Sequence, residues 1–400
     1  MKKRRVAITG MGAVSPLGLD VQSIWSNLLE GRSGIAEIKQ FDASAFPTYI
    51  AAEVKNFSLA PKLTTKRSRF SVNFTRYALE AAQQAFDDAG IVPTEQTATQ
   101  WGVVTGSGMM TSEFDYLSRF QQTCAQNGEA DWERLQASTQ EFYKLSDFGK
   151  TTTNSGLSLL IQQFNIRGYA SSVHTACASG GQALGLAMQV IRRGEADFML
   201  AGGFDSMINP LGLSSFCLLG ALSTYNSTPE TASRPFDATR NGFVLGEGAA
   251  FLILEEWDKA KARGARIYAK LAGEGNSLSS YRITDSHPNG DGAIQAIERA
   301  LQDAGVQASD VDYINAHGTS TKMNDLSETN AIKAVFGESV ANLPVSATKS
   351  QTGHLISAAG ALEAVLSVKS IEQAQIPKTA NLTTPDPECD LDYVVDGPRE

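Results

Sequence analysis

Cysteine is scarce in this chain: four residues in 400, at positions 124, 177, 217 and 389, with no C-x-x-C pair. Such spacing excludes a disulfide framework and a zinc site built from cysteines, and it fits reduced thiols in the cytoplasm. Long apolar runs are also missing. The basic opening "MKKRR" leads only to "VAI" before threonine and glycines, too short for a signal-peptide core. No run reaches membrane-spanning length, so no membrane insertion is expected. Nor is there an excess of positive charge. With 34 Lys and Arg against 43 Asp and Glu, the net charge of -9 argues against a chain that binds nucleic acid or an anionic bilayer. What remains, 42% hydrophobic and 19% charged, is the composition of an ordinary globular protein large enough for a deep α/β core.

The chain repeats itself. Residues 78–90, "ALEAAQQAFDDAG", and 293–305, "AIQAIERALQDAG", share the pattern A-x-x-A-x-x-x-A-x-x-D-A-G. Both end in a glycine suited to the left-handed helix cap. Each leads to a short apolar strand and a polar turn, "WGVVTGSG" and "VDYINAHGTST". A second pair, "TACASGGQALGLAMQVIRRG" and "TKSQTGHLISAAGALEAVLSV", reads as two helices crowded with small residues, expected to lie buried against each other. Strand signals in "DFMLAGG", "AAFLILEE" and "IYAKLAGEG" alternate with helical patterns, as in layered α/β proteins. The reading is a duplicated α/β unit, with halves 1–262 and 263–400. Residues 109–150, polar with spaced aromatics, read as a helical cap inserted into the first half.

Cys177 stands where a β-like run gives way to a helix. Alone it is either a small core residue or a nucleophile whose thiolate the helix start favours. Two of the four histidines, His317 in "NAHGTST" and His354 in "TGHLISAAG", lie in turns at the mouths of elements, and Lys349 precedes His354 by five residues. Imidazoles that donate hydrogen bonds can stabilise negative charge developing on oxygen. Singly, each residue has a plain structural reading: a buried histidine, a surface lysine, a turn. His174, three residues before Cys177, makes an H-x-x-C too weak to mark a metal site, and no metal is expected.

Together, "TACASG", "NAHGTST" and "SATKSQTGHLISAAGALEAV" resemble the active-site motifs of the β-ketoacyl-acyl-carrier-protein synthases, elongating type II branch. The similarity runs from "VAITGMGAVSPLG" through "SRPFDATRNGFVLGEGAAFLILEE" to "CDLDYV". It implies the thiolase fold, two βαβαβαββ halves in five α/β/α/β/α layers. It also implies decarboxylative Claisen condensation of an acyl chain with malonyl-acyl carrier protein, giving 3-oxoacyl-acyl carrier protein for fatty acid or polyketide elongation. Cys177 would be the acyl-carrying nucleophile, with its backbone N–H in the oxyanion hole. His317 and His354 would stabilise the malonyl-derived enolate, and Lys349 would orient them through Glu328. Phe216 would separate the acyl pocket from the extender site. No resident cofactor is implied, since phosphopantetheine arrives on the acyl carrier protein. That acidic partner would dock on the basic cluster Lys62, Lys66, Arg67 and Arg69. The family pairs through a strand here within 165–176, as a homodimer or as a heterodimer with a paralogous chain-length factor.

The sequence departs from the family in two places. The family's terminal Gly-rich gating loop has no counterpart after "DYVVDGPRE"; the expectation is a sequence clipped before it, because loss of a core strand would leave an open sheet edge. The 109–150 insert differs from housekeeping enzymes and suits a specialised role such as polyene or polyketide elongation. The alternative is a non-elongating chain-length-factor-like partner, against which Cys177 speaks. A thiolase would carry its nucleophile much nearer the N-terminus.

Overall fold

Six strands form one mixed sheet in the computed structural model, which describes all residues except 1–2, 59–68, 109–113, 127–128, 143 and 283. They are β1 (Val6–Val14), β2 (Trp101–Ser107), β3 (Ala170–Val173), β4 (Phe198–Ser206), β5 (Glu247–Glu256) and β6 (Ala269–Leu271). Their spatial order is β6-β1-β5-β4-β2-β3. β4 runs parallel to β2 and β2 to β3, while β5 is antiparallel to β1 and β4. Among the described residues β3 is the edge strand, paired with β2 alone. Every residue of β1, β2 and β5 is buried. Covered on both faces, these strands read as near-continuous runs of small and apolar residues.

The helices that build the layers and the site are α1 (Asn73–Ala89), α2 (Ser155–Phe164), α3 (Ser179–Arg193), α4 (Pro210–Leu218), α5 (Asp291–Ala304), α6 (Lys322–Phe336) and α7 (Ala359–Gln373). The two-residue period of the strands sorts their side chains between these helices. Phe198, Leu200 and Phe204 of β4 join the core of α1 and α2, whereas Met199 and Ala201 join that of α3 and α7. Beyond α7 lies a short parallel pair, β7 (Ile314–Asn315) and β8 (Val345–Ser346). α6 packs there through Ile332 and Phe336 against Val345, with Ile297 of α5 at the margin. This is the expected layered thiolase architecture. The described part of 109–150 is helical over Phe114–Cys124, Trp132–Phe142 and Leu145–Thr151, with Trp132 73% exposed. Among the described residues, no helix is long and apolar enough to cross a membrane.

The sequence repeat marks where backbones touch. A Cβ on Gly10 or Gly12 of β1 would come within 2.3 or 2.0 Å of the carbonyl oxygens of Ala85 and Ala81 on α1. Gly273 and Gly275 stand in the same relation to Ala300 and Ala296 of α5, at 2.6 and 1.9 Å. Both helices then stop at a left-handed glycine, Gly90 (φ 63°) and Gly305 (φ 71°). The second repeat places α3 on α7, so that a Cβ on Gly180 would lie 2.9 Å from the Ala361 nitrogen. Each of these helices follows a one-turn 3-10 segment that opens with a left-handed non-glycine residue, Ala176 (φ 51°) and Ile356 (φ 46°). Cys177 and Ser357 therefore occupy matching positions in the two halves.

Candidate active site

The turn carrying Cys177 is fixed by Ser179. Its hydroxyl accepts the Thr175 N–H at 2.8 Å and donates to the Ala176 carbonyl at 2.7 Å. Ser179 is fully buried, so this clasp is sheltered from water. Cys177 is thus held at the foot of α3, half-buried, with the start of the helix directly behind it.

His317 follows β7, and its turn is shaped by Glu328 of α6, whose carboxylate accepts the N–H groups of His317 (2.6 Å) and Gly318 (2.8 Å). His354 is anchored by its own N–H, which donates to the Val244 carbonyl at 2.8 Å. Its Nδ1 accepts the Ile356 N–H at 3.1 Å. A neutral imidazole with an acceptor Nδ1 carries its proton on Nε2. That Nε2 lies 3.1 Å from Cys177 Sγ, so His354 aims an N–H donor at the sulfur. The His317 ring stands edge-on to His354, 5.3 Å between centroids. Phe243 also packs edge-on to His354, 5.2 Å between centroids, and meets Phe216 at 5.5 Å.

Lys349 departs from the sequence expectation. It is 2% exposed, and its ammonium pairs with Glu363 of α7, not with Glu328. Glu328 is committed to the backbone of the His317 turn. The ammonium still acts on the whole site. Burial first, and then the Lys349 charge, hold both His317 and His354 well below the ordinary imidazole value, so both rings are neutral at pH 7. Burial pushes the Cys177 thiol up to about 11, with Lys349 pulling it down and Asp205 adding to the rise. A nucleophile at a helix start would favour a thiolate; here burial wins, and Cys177 rests as a thiol.

A cavity of about 610 Å³ connects these groups to the surface, lined by Cys177, Phe216, His317, Thr319, Phe243 and His354. The ligand atoms of Cys177, His317 and His354 lie within 4.8 Å of one another, compact enough for a soft cation. The Ile356 N–H opposes that use, because it keeps the proton on His354 Nε2 and leaves no lone pair toward the sulfur. Neutral N–H donors suit an oxyanion better than a metal.

The structure brings Cys177, Phe216, His317 and His354 to one cavity, with Lys349 and Glu328 just behind. Lys62, Lys66 and Arg67 lie outside the described residues, and Arg69 is exposed. Glu363 and Phe243 were missed by sequence reasoning. A lone carboxylate in the small-residue helix "AAGALEAV" was the available signal for Glu363. His174 sits apart on the Ser107 carbonyl, 2.9 Å away.

Thiol, paired neutral imidazoles and layered fold define a condensing enzyme of the thiolase type. The chain matches two family models: "Beta-ketoacyl synthase, N-terminal domain" over residues 3–260 and "Beta-ketoacyl synthase, C-terminal domain" over 268–383. It is 43% identical to the 3-oxoacyl-[acyl-carrier-protein] synthase 2 of Coxiella burnetii (strain RSA 493 / Nine Mile phase I), covering 100% of this chain and 94% of that protein. Identity to the protein of the same name from Staphylococcus aureus (strain COL) is 40%, over 98% and 92% of the two chains. Among solved structures, a type II polyketide ketosynthase, bound to the hexaketide and in complex with its acyl carrier protein, superposes with a TM-score of 0.88 at 34% identity. That match covers 100% of this chain and 93% of the other. The ishigamide ketosynthase/chain length factor gives 0.86 at 33% identity, with the same coverage. The chain belongs to the β-ketoacyl synthase family, and it is an acyltransferase that elongates acyl chains by condensation.

Proposed function

We propose that Cys177 takes the acyl chain from acyl carrier protein and that His317 and His354 drive decarboxylation of the malonyl extender. The observation that carries this reading is the Nε2–H of His354 at 3.1 Å from Cys177 Sγ, in a cavity shared with His317. In the first half-reaction the sulfur attacks the acyl thioester carbonyl, its proton passes to the departing carrier thiolate, and the carbonyl oxygen is held by the Cys177 N–H. Malonyl-acyl carrier protein then enters. As its C–C bond breaks and CO2 leaves, the thioester oxygen becomes an enolate, which receives hydrogen bonds from the two imidazoles. The enolate carbon attacks the acyl–Cys177 thioester, 3-oxoacyl-acyl carrier protein departs, and the cysteine sulfur regains a proton from solvent. Phosphopantetheine travels on the carrier, so no resident cofactor enters the scheme. Lys349 and Glu328 position the histidines from behind.

The test is mass spectrometry of the protein incubated with acyl-loaded carrier protein. The acyl mass is expected on the Cys177 peptide and absent in Cys177→Ala, while Cys177→Gln retains malonyl decarboxylation. Full condensation by Cys177→Ala would overturn the assignment. A chain-length-factor-like role is disfavoured by a nucleophile seated among donors. The open edge of β3 supports pairing with a second copy or a paralogue through 165–176, and the free cysteines suit a cytoplasmic setting. The cluster Lys62, Lys66, Arg67 and Arg69 is proposed to receive the carrier protein. Reversing Lys66 and Arg67 to Glu is expected to lower kcat/KM for carrier-bound substrates more than for pantetheine thioesters, with the gap closing at high salt; equal losses would move the docking site elsewhere.

A further inference from the structure

Asp205, near the end of β4, is buried and forms no ion pair among the described residues. Its Oδ2 accepts the N–H of Ser357 at 3.1 Å. Ser357 is itself fully buried, and its residue mate across the internal repeat is Cys177. The residue before it, Ile356, is a β-branched side chain held at φ 46°. Such a conformation is strained and persists only where its surroundings fix it. The N–H of this strained residue is the one that fixes the His354 tautomer. Asp205 also abuts Gly108, whose added Cβ would lie 2.3 Å from Oδ2, so the carboxylate has no room to swing away in that direction.

We propose that Asp205 is a positioning residue: from the nucleophile's half of the molecule it clamps the Ile356–Ser357 turn and so keeps the His354 Nε2–H aimed at the reacting thioester. The proposal rests on the assignment of Cys177 and His354 above. The clamp has a second effect, on the thiol. Asp205 bears on Cys177, as do the paired Lys349 and Glu363 of the second half, while the two imidazoles beside the sulfur are neutral. A carboxylate there disfavours the thiolate, in the same sense as the burial of the sulfur and against the pull of Lys349.

Two variants separate these effects from a general loss of structure. Alkylation of Cys177 by iodoacetamide, followed against pH, reads the thiol without any turnover. Decarboxylation of malonyl thioester reads the histidines. Asp205→Asn removes the charge and keeps an acceptor for the Ser357 N–H; Asp205→Ala removes both. The alkylation midpoint is expected to move to lower pH in both variants. Decarboxylation kcat is expected to fall about tenfold in Asp205→Ala, the scale of one orphaned buried donor, with KM little changed. Asp205→Asn is expected to recover most of that loss. A mere packing defect would slow both reactions together and leave the midpoint in place. An Asp205→Asn that loses the full tenfold overturns the proposal even if Asp205→Ala fails to fold, and so does a wild-type kcat in a folded Asp205→Ala. Because alkylation needs no condensing activity, failure of the catalytic assignment would show separately, as condensation surviving in Cys177→Ala.

Discussion

Replacing Lys349 by Met removes a buried ammonium while keeping most of its volume, and the consequences divide into two measurable parts. The first is stability. Glu363 loses its partner, and a buried charge left alone costs about 3–5 kcal/mol. With an unfolding entropy of about 2.1 cal/mol/K per residue over 400 residues, that corresponds to a Tm lower by about 4–6 °C. The second part is reactivity. Lys349 is the cation that pulls the Cys177 thiol down, so its removal is expected to shift iodoacetamide alkylation to higher pH, opposite to the Asp205 variants. It also withdraws one of the causes that keep both imidazoles neutral, so the pH at which they protonate rises. Scanning calorimetry and a pH series of alkylation check both parts, and the double variant Lys349→Met/Glu363→Gln is expected to regain much of the lost Tm. An unchanged Tm together with an unmoved alkylation profile would refute the claim that this ammonium holds the site's charges in balance.

Three further outcomes follow from the structure. Ala at His317 or at His354 is expected to lower malonyl decarboxylation by roughly 10²-fold or more, the cost of an oxyanion donor; near-normal rates in both variants would remove them from the reaction. In the intact enzyme, their depressed pKa values should leave no imidazole titration near pH 6.5 in the decarboxylation profile. Gly12→Ala and Gly275→Ala should each destabilise the protein by about 1–3 kcal/mol, as overpacking of a strand on a helix backbone. Equal losses of Tm at the two sites would confirm that the repeated contact does the same job in both halves, and a neutral Gly275→Ala would argue against it.

The sequence shows which residues gather and not how they are charged or joined. Cys177, His317 and His354 each stand at the mouth of an element with a plain structural reading when taken singly, and they were legible as a site through the resemblance of "TACASG", "NAHGTST" and "SATKSQTGHLISAAGALEAV" to the β-ketoacyl synthase motifs. The partner of Lys349 was not. Glu328 and Glu363 are both carboxylates within reach in sequence, and only the fold shows that Glu328 is spent on two backbone N–H groups while Glu363 faces the ammonium from α7. The state of the thiol was equally hidden, since a helix start signals a thiolate and the opposing burial is a property of the assembled cavity. The repeat was visible as a pattern of Ala and Asp-Ala-Gly, but its purpose lies in Gly10, Gly12, Gly273 and Gly275, which the pattern does not contain. Nor does sequence betray the left-handed Ala176 and Ile356, since neither is a glycine or an asparagine. These two residues show how duplication became a catalyst. The same strained turn was built twice, and one copy presents a sulfur at its second position while the other presents the backbone N–H that sets a histidine's proton. The halves are no longer interchangeable, because Asp205 of the first reaches across to hold the turn of the second. The reacting groups face each other because α3 and α7 touch through glycine and alanine.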